Sequence, residues 1–129
     1  MIEIAIDGPA ASGKGALGKK LSDKYNFPYL DTGILYRKVA YELIKNNIKN
    51  SENLEILCCN FAKNLNLKEF KNKNLRTEDV AKLSSKIAIF PNLRKILNNK
   101  QKEFSNFNKK QFGGCILDGR DIGTTILPN

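Results

Sequence analysis

The sequence predicts an α/β fold, a parallel sheet flanked by helices, on three observations. Short apolar runs at Ile2–Ile6, Phe27–Leu30 and Cys115–Leu117 read as strands. The segments between them carry apolar residues at helical spacing. A bend of small residues, DGPAASGKGA, joins the first strand to the first helix.

Taken in order, Ile2–Ile6 is a short buried strand, and Gly13–Tyr25 is a helix with Leu17, Leu21 and Tyr25 stacked at four-residue spacing. Pro28 restricts the second strand to its start or to an edge. Asp31-Thr32-Gly33 is a turn and helix-start signal, and a helix follows to about Ile48 on Leu35, Val39, Leu43 and Ile44. Leu54, Leu57, Cys58, Phe61 and Leu65 form another amphipathic stripe. The polar, aperiodic stretch Asn66–Asn74 reads as a loop. A helix begins from Thr77, with Glu78 and Asp79 in its first turn at the positive end of the dipole. Phe90-Pro91 breaks it, and Pro91 opens a further helix to about Phe104 on Leu93, Ile96 and Leu97. The last strand ends at Asp118, followed by GRDIG and the apolar run Thr124–Leu127.

Composition narrows the chemistry. A 129-residue chain with 41% hydrophobic residues is one domain or part of one, with enough apolar content for a core. With no histidine and no metal-ligand spacing among Cys58, Cys59 and Cys115, structural zinc and His-based acid–base catalysis are excluded. The odd cysteine count reads as reduced thiols in a cytoplasmic protein. No signal peptide is visible, and no window approaches the roughly 20 apolar residues of a membrane span. The net charge of +9 comes from scattered lysines without an aromatic stacking platform, so nucleic acid is not an expected partner. Of the 22 basic residues only Arg37, Arg76, Arg94 and Arg120 are arginines, which marks positions where a planar, forked cation is needed.

The opening bend, Gly8 to Lys14, fits GxxxxGK between a strand and a helix. Small residues there let backbone N–H groups surround phosphate oxygens at the positive end of the helix, with Lys14 reaching the outer phosphates. Gly8, Pro9, Ala10, Ala11, Ser12, Gly13, Lys14, Gly15 and Ala16 are therefore the candidate ATP-binding residues. Most such loops follow the lysine with a hydroxyl that holds Mg²⁺. Gly15 and Ala16 supply none, so the ion must be held by nucleotide oxygens, water and a carboxylate elsewhere. Asp118, at the end of an apolar strand, is the candidate, acting through water.

Gly15 in that position is typical of nucleoside monophosphate kinases. IDGPAASGKG, FPYLDTGILYR, LRTEDVAKLSSKIAIFPNLRKIL and CILDGRDIGT occur in the order and spacing of bacterial cytidylate kinases, the (d)CMP kinases, and the chain resembles that family along essentially its whole length. LDTG-xx-YR and DGRDIGT are the specific motifs, and Leu65–Leu75 resembles the short form that has no β-hairpin insert. The resemblance implies a phosphate-loop kinase fold. It implies transfer of the γ-phosphate of ATP to CMP or dCMP, with Mg²⁺, in a cytoplasmic enzyme that is monomeric at full length. By the same resemblance Thr32 and Arg37 belong to the monophosphate site, Ser85 and Arg94 contact cytosine, and Asp118 faces the metal. Arg120 meets the transferring phosphates and Asp121 the cytosine amino group, while Arg76 has a family position but no assigned role. The division expected is a nucleotide-binding core, 1–48 and 113–129, around a helical CMP-binding segment at about 49–112.

The residue types suit the chemistry. Cytosine presents an N4 amine as donor and N3 and O2 as acceptors; a carboxylate and a hydroxyl accept from the first, and a guanidinium donates to the others. Uracil reverses the pattern, and each buried polar group left unpaired costs ~1–3 kcal/mol. Phosphoryl transfer needs charge neutralised and two oxygens held in line, which Lys14, Arg37 and Arg120 would do as the catalytic cations.

The family continues for nearly as many residues again beyond the closing ILPN. That remainder carries an arginine-bearing lid, an Asp and an Arg of the CMP site, and two more strands of a sheet ordered 2-3-1-4-5. The expectation is a chain lacking the carboxyl-terminal strands and lid, with strand 1 left as an edge, poorly soluble or partly unfolded, and at most weakly active. Two alternatives stay open: a phosphate-loop kinase for another monophosphate such as UMP or AMP, and a non-catalytic nucleotide-binding fragment.

Overall fold

In a computed structural model, residues 2–7, 14–48, 52–65 and 73–119 are described, with the backbone alone for Ile2, Asp7, Lys14, Gly15, Lys73, Asp118 and Gly119. Three strands, β1 (Ile2–Asp7), β2 (Tyr29–Asp31) and β3 (Gly114–Gly119), form a parallel sheet in the order β1-β3-β2. Five helices accompany them: α1 (Lys14–Tyr25), α2 (Gly33–Lys45), α3 (Leu54–Lys63), α4 (Glu78–Ile87) and α5 (Pro91–Phe112). A short 3-10 turn, Lys73–Arg76, precedes α4. The chain divides into two units, one of Met1–Gly33 with Asn98–Asn129 and one of Ile34–Leu97. No helix among the described residues is long and apolar enough to cross a membrane.

In the first unit β3 is the central strand. Cys115, Ile116 and Leu117 are all at 0% exposure, and because successive side chains alternate sides, the strand is buried on both faces. On the face bearing Glu3 and Cys115 lies α5. Lys109 of that helix pairs with Glu3, and the Ser105 hydroxyl sits beside the Cys115 thiol, which burial pushes up. The opposite face, bearing Ile116 and Tyr29, is covered by α1. Gly18 of α1 is buried against the Tyr29 ring, and a Cβ there would stand 2.2 Å from Tyr29 Cε2. Among the described residues β1 pairs only with β3, and the order β1-β3-β2 matches the 2-3-1 part of the expected family order.

The second unit is helical. Leu35, Val39 and Leu43 of α2 are fully buried, as are Cys58 and Ala62 of α3, Ile87 of α4 and Leu93 and Leu97 of α5. Thr77 caps α4, its hydroxyl accepting the Val80 N–H at 3.3 Å. Glu55 in the first turn of α3 accepts the Asn92 N–H in the first turn of α5 at 3.2 Å. Burial, then Cys59 and Glu55, push the Cys58 thiol up to about 11.

Several sequence expectations need correction. Leu17 and Tyr25 are 49% and 46% exposed, so the buried face of α1 runs through Gly18. Only a residue without a side chain allows the helix to approach Tyr29, and a search for apolar periodicity passes over it. The second strand begins at Tyr29, because Pro28 contributes only its carbonyl, which accepts the Ile116 N–H at 2.8 Å. Helix α2 stops at Lys45: Asn47 takes φ 56°, and the Asn47 and Ile48 amides bond back to the Ile44 and Leu43 carbonyls in a Schellman ending. Helix α5 runs eight residues past Phe104, to Gly113 at φ 80°. Beyond Leu97 its buried positions are polar, Gln101, Ser105 and Asn108, so apolar periodicity cannot follow it. The loop expected over Asn66–Asn74 closes in the 3-10 turn; Asn66–Asn72, and the run Thr124–Leu127, lie outside the described residues.

Two stability predictions follow from this packing. Gly18→Ala should destabilise the chain by ~1–3 kcal/mol in chemical denaturation, as overpacking does, and the penalty should shrink in a Tyr29→Leu background. An unchanged penalty there would show that the ring is not the obstacle. The Cys58 thiol titrates later when folded than its ordinary 9.0. Its contribution is therefore fully present below pH 9 and is lost as pH rises towards about 11. Denaturation midpoints measured across that window should fall, by on the order of 2 kcal/mol from this group, and less steeply in Cys58→Ala.

Candidate functional site

The parallel sheet brings three strand ends to one edge. Ile6, Asp118 and Asp31 stand in one row across β1, β3 and β2, and Asp7 and Gly119 in the next. The chain leaves this edge after β1 into the glycine-rich bend, after β2 into Thr32 and α2, and after β3 towards Arg120. Ligands of open parallel sheets bind at the carboxyl ends of the strands, where helix N-termini point back at the sheet.

Each expected residue has a definite standing. Gly8, Pro9, Ala10, Ala11, Ser12 and Gly13 lie outside the described residues, as do Arg120 and Asp121. Lys14 and Gly15 form the start of α1, with their backbone alone described, and Ala16 is exposed on its first turn. Asp118 is described as backbone in the row next to Ile6, where the bend begins. Thr32 is buried at 5% exposure, and the preceding Asp31 accepts the Gly33 N–H at 3.1 Å, which shapes the turn into α2.

The remaining residues belong to the helical unit. Arg37 is half-buried on α2 and Arg94 is exposed on α5. Ser85 is exposed on α4, its hydroxyl donating to the Ala81 carbonyl at 3.2 Å. Tyr36, adjacent to Arg37, lies in the LDTG-xx-YR motif, which assigned it no role. Burial raises its phenol's pKa, and the charge of the Arg94 guanidinium pulls it back down. A cavity of about 450 Å³ in this unit is lined by Ile44, Ile48, Leu54, Leu83 and the polar groups of Asn47, Asp79, Lys82 and Lys86. None of the expected site residues lines it.

The family model described as cytidylate kinase matches residues 4–129. This chain belongs to the cytidylate kinase family. Its relatives include cytidylate kinases of Bartonella tribocorum and Bartonella quintana, each 42% identical over 126 residues, covering 98% of this chain and 56% of the relative. That of Bradyrhizobium diazoefficiens is 40% identical over 126 residues, with 98% and 57% covered. The chain thus spans a little over half the length of the curated cytidylate kinases it matches. The α/β architecture and parallel sheet are those expected for a phosphate-loop kinase fold.

The effect of the Arg94 charge on Tyr36 is directly testable. A cation stabilises the phenolate, so Arg94→Ala should make Tyr36 titrate at higher pH, followed by NMR of ring-labelled tyrosine through the alkaline range. An unmoved titration would separate the two side chains in solution.

Proposed function

We propose that this chain supplies the phosphate-loop core and the monophosphate-binding helices of an enzyme that transfers the γ-phosphate of ATP to CMP or dCMP. The observation that carries the reading is the row Ile6–Asp118–Asp31, in which the strands leading to the glycine-rich bend, to Thr32 and to the GRD motif end side by side. Family membership supports the same reaction.

Under this reading the backbone amides of Gly8 to Ala16 cradle the ATP phosphates, and Lys14 and Arg120 neutralise the oxygens that gain charge as the phosphoryl group moves. Arg37 and Thr32 hold the acceptor phosphate, and Arg37 shares in catalysis by fixing the attacking oxygen in line. Ser85, Arg94 and Asp121 read cytosine, and Tyr36 adds an aromatic surface beside Arg94. Asp118 suits Mg²⁺: a carboxylate at the strand end where the bend opens matches a hard, oxygen-seeking ion, held through water. When bound, that ion supplies charge neutralisation at the phosphates. The core comprises 1–48 and 113–129 and the CMP-binding helices about 49–112; the compartment proposed is the cytoplasm.

A second reading is nucleotide binding without turnover, which the assay of ADP formation separates from the first.

Coupled ADP detection with CMP, dCMP, UMP and AMP tests the substrate; UMP or AMP outcompeting CMP overturns the cytosine assignment. Hydrogen bonds to charged groups contribute ~1.5–3 kcal/mol, so calorimetry should show ATP binding weakened roughly 10- to 100-fold by Lys14→Ala. Arg37→Ala should weaken CMP binding to a similar degree and spare ATP. Wild-type binding of both nucleotides with no ADP formed supports the second reading.

A further inference from the structure

We propose that Glu55 is a positioning residue for nucleobase recognition: its carboxylate holds the first turn of α5, the turn that carries Arg94. This rests on the reading of Arg94 as the cytosine-contacting arginine.

The argument begins with the opening residues of α5. Pro91 has no N–H, so the Asn92 amide is the first donor of a 22-residue helix. It belongs to the group of amides that find no partner inside the helix. Glu55 supplies one from another element, its Oε2 accepting from Asn92 at 3.2 Å across 37 residues of sequence. The carboxylate also sits at the positive end of the helix dipole. The helix body is anchored independently, since Leu93 and Leu97 are both at 0% exposure. Arg94 is exposed and lies between those anchors, with its own amide bonded to the Phe90 carbonyl at 3.0 Å in the first turn. Buried Leu93 fixes where the helix lies, and the Glu55 contact fixes how its first turn closes. Helix ends fray when their amides go unheld, and Arg94 would lose its defined starting point without unfolding the unit.

Nothing in the sequence pointed to Glu55. It stands in an ordinary amphipathic stripe, on the first turn of α3, where an acidic residue already suits the dipole of its own helix. Its reach to α5 exists only in the folded unit.

The test compares the wild-type chain with Glu55→Ala and Glu55→Gln. Glutamine keeps an acceptor oxygen for Asn92 and discards the charge; alanine discards both. Calorimetry should show CMP binding weakened roughly 3- to 10-fold in Glu55→Ala, the scale of one lost hydrogen bond. The preference for CMP over UMP should narrow, and ATP binding should not change. Glu55→Gln should recover most of both losses. A ligand-free readout accompanies this: Tyr36 should titrate at higher pH in Glu55→Ala, as in Arg94→Ala, and return towards wild type in Glu55→Gln. Glu55→Ala that is less stable to denaturant but leaves the Tyr36 titration and the CMP-to-UMP ratio unmoved overturns the proposal and leaves Glu55 a structural residue. Wild-type chain that binds no CMP overturns the functional reading instead, and Tyr36 then decides the positioning of Arg94 by itself.

Discussion

Parallel pairing of β1 and β2 on either side of β3 is the constraint on which the rest of the first unit depends. Each strand is short, and β2 contributes only Tyr29–Asp31 to the ladder. Burial of β3 on both faces ties the strands together, because Cys115, Ile116 and Leu117 are enclosed by helices on two sides. A slip of one residue would move every side chain of the strand to the opposite face and misfit both helix contacts. The same register sets the three carboxyl ends level, so a packing requirement also determines where an anion could meet several backbone turns at once.

The two helices on the sheet solve that requirement differently. On one face α1 approaches through Gly18, gaining contact with Tyr29 by having no side chain at the crossing. On the other face α5 presents Gln101, Ser105 and Asn108, together with the Lys109–Glu3 pair. Asn108 turns its amide to the Phe104 carbonyl, at 2.8 Å, whereas Gln101 Oε1 has no hydrogen-bond partner among the described residues. Burying such an oxygen costs free energy that apolar contacts around it must offset. The α5 face is therefore the less economical of the two in stability, and it depends on β3 remaining enclosed.

In the helical unit Arg37 is half-buried, whereas Arg76 and Arg94 are exposed; the charge of Arg94 lowers the pKa of the half-buried Tyr36 phenol against the effect of burial. Most lysines lie on solvated faces, as the exposed Lys82–Glu78 pair does at 3.3 Å. A planar cation keeps its charge in partly desolvated places where an ammonium would be penalised more heavily. The cavity lined by Ile44, Ile48, Leu54 and Leu83 with Asn47, Asp79, Lys82 and Lys86 carries none of the arginines.

Local chemistry by itself determined much of this protein. Three strands, the Asp31 turn, the helix start at Thr77 and the Pro91 restart were legible because each depends on residues adjacent in sequence. The motifs likewise pointed to the family before any coordinates, and the family match agrees with that reading. Only the tertiary structure decided what depends on distant partners. It replaced Leu17 and Tyr25 with Gly18 on the buried face of α1, since that choice belongs to Tyr29 on another element. It carried α5 through a polar segment because β3 was there to receive it, and it brought Glu55 to Asn92 across 37 residues. Periodicity records which side of a helix is apolar, but a contact between elements depends on shape and hydrogen-bond need, which exist only once both elements have folded.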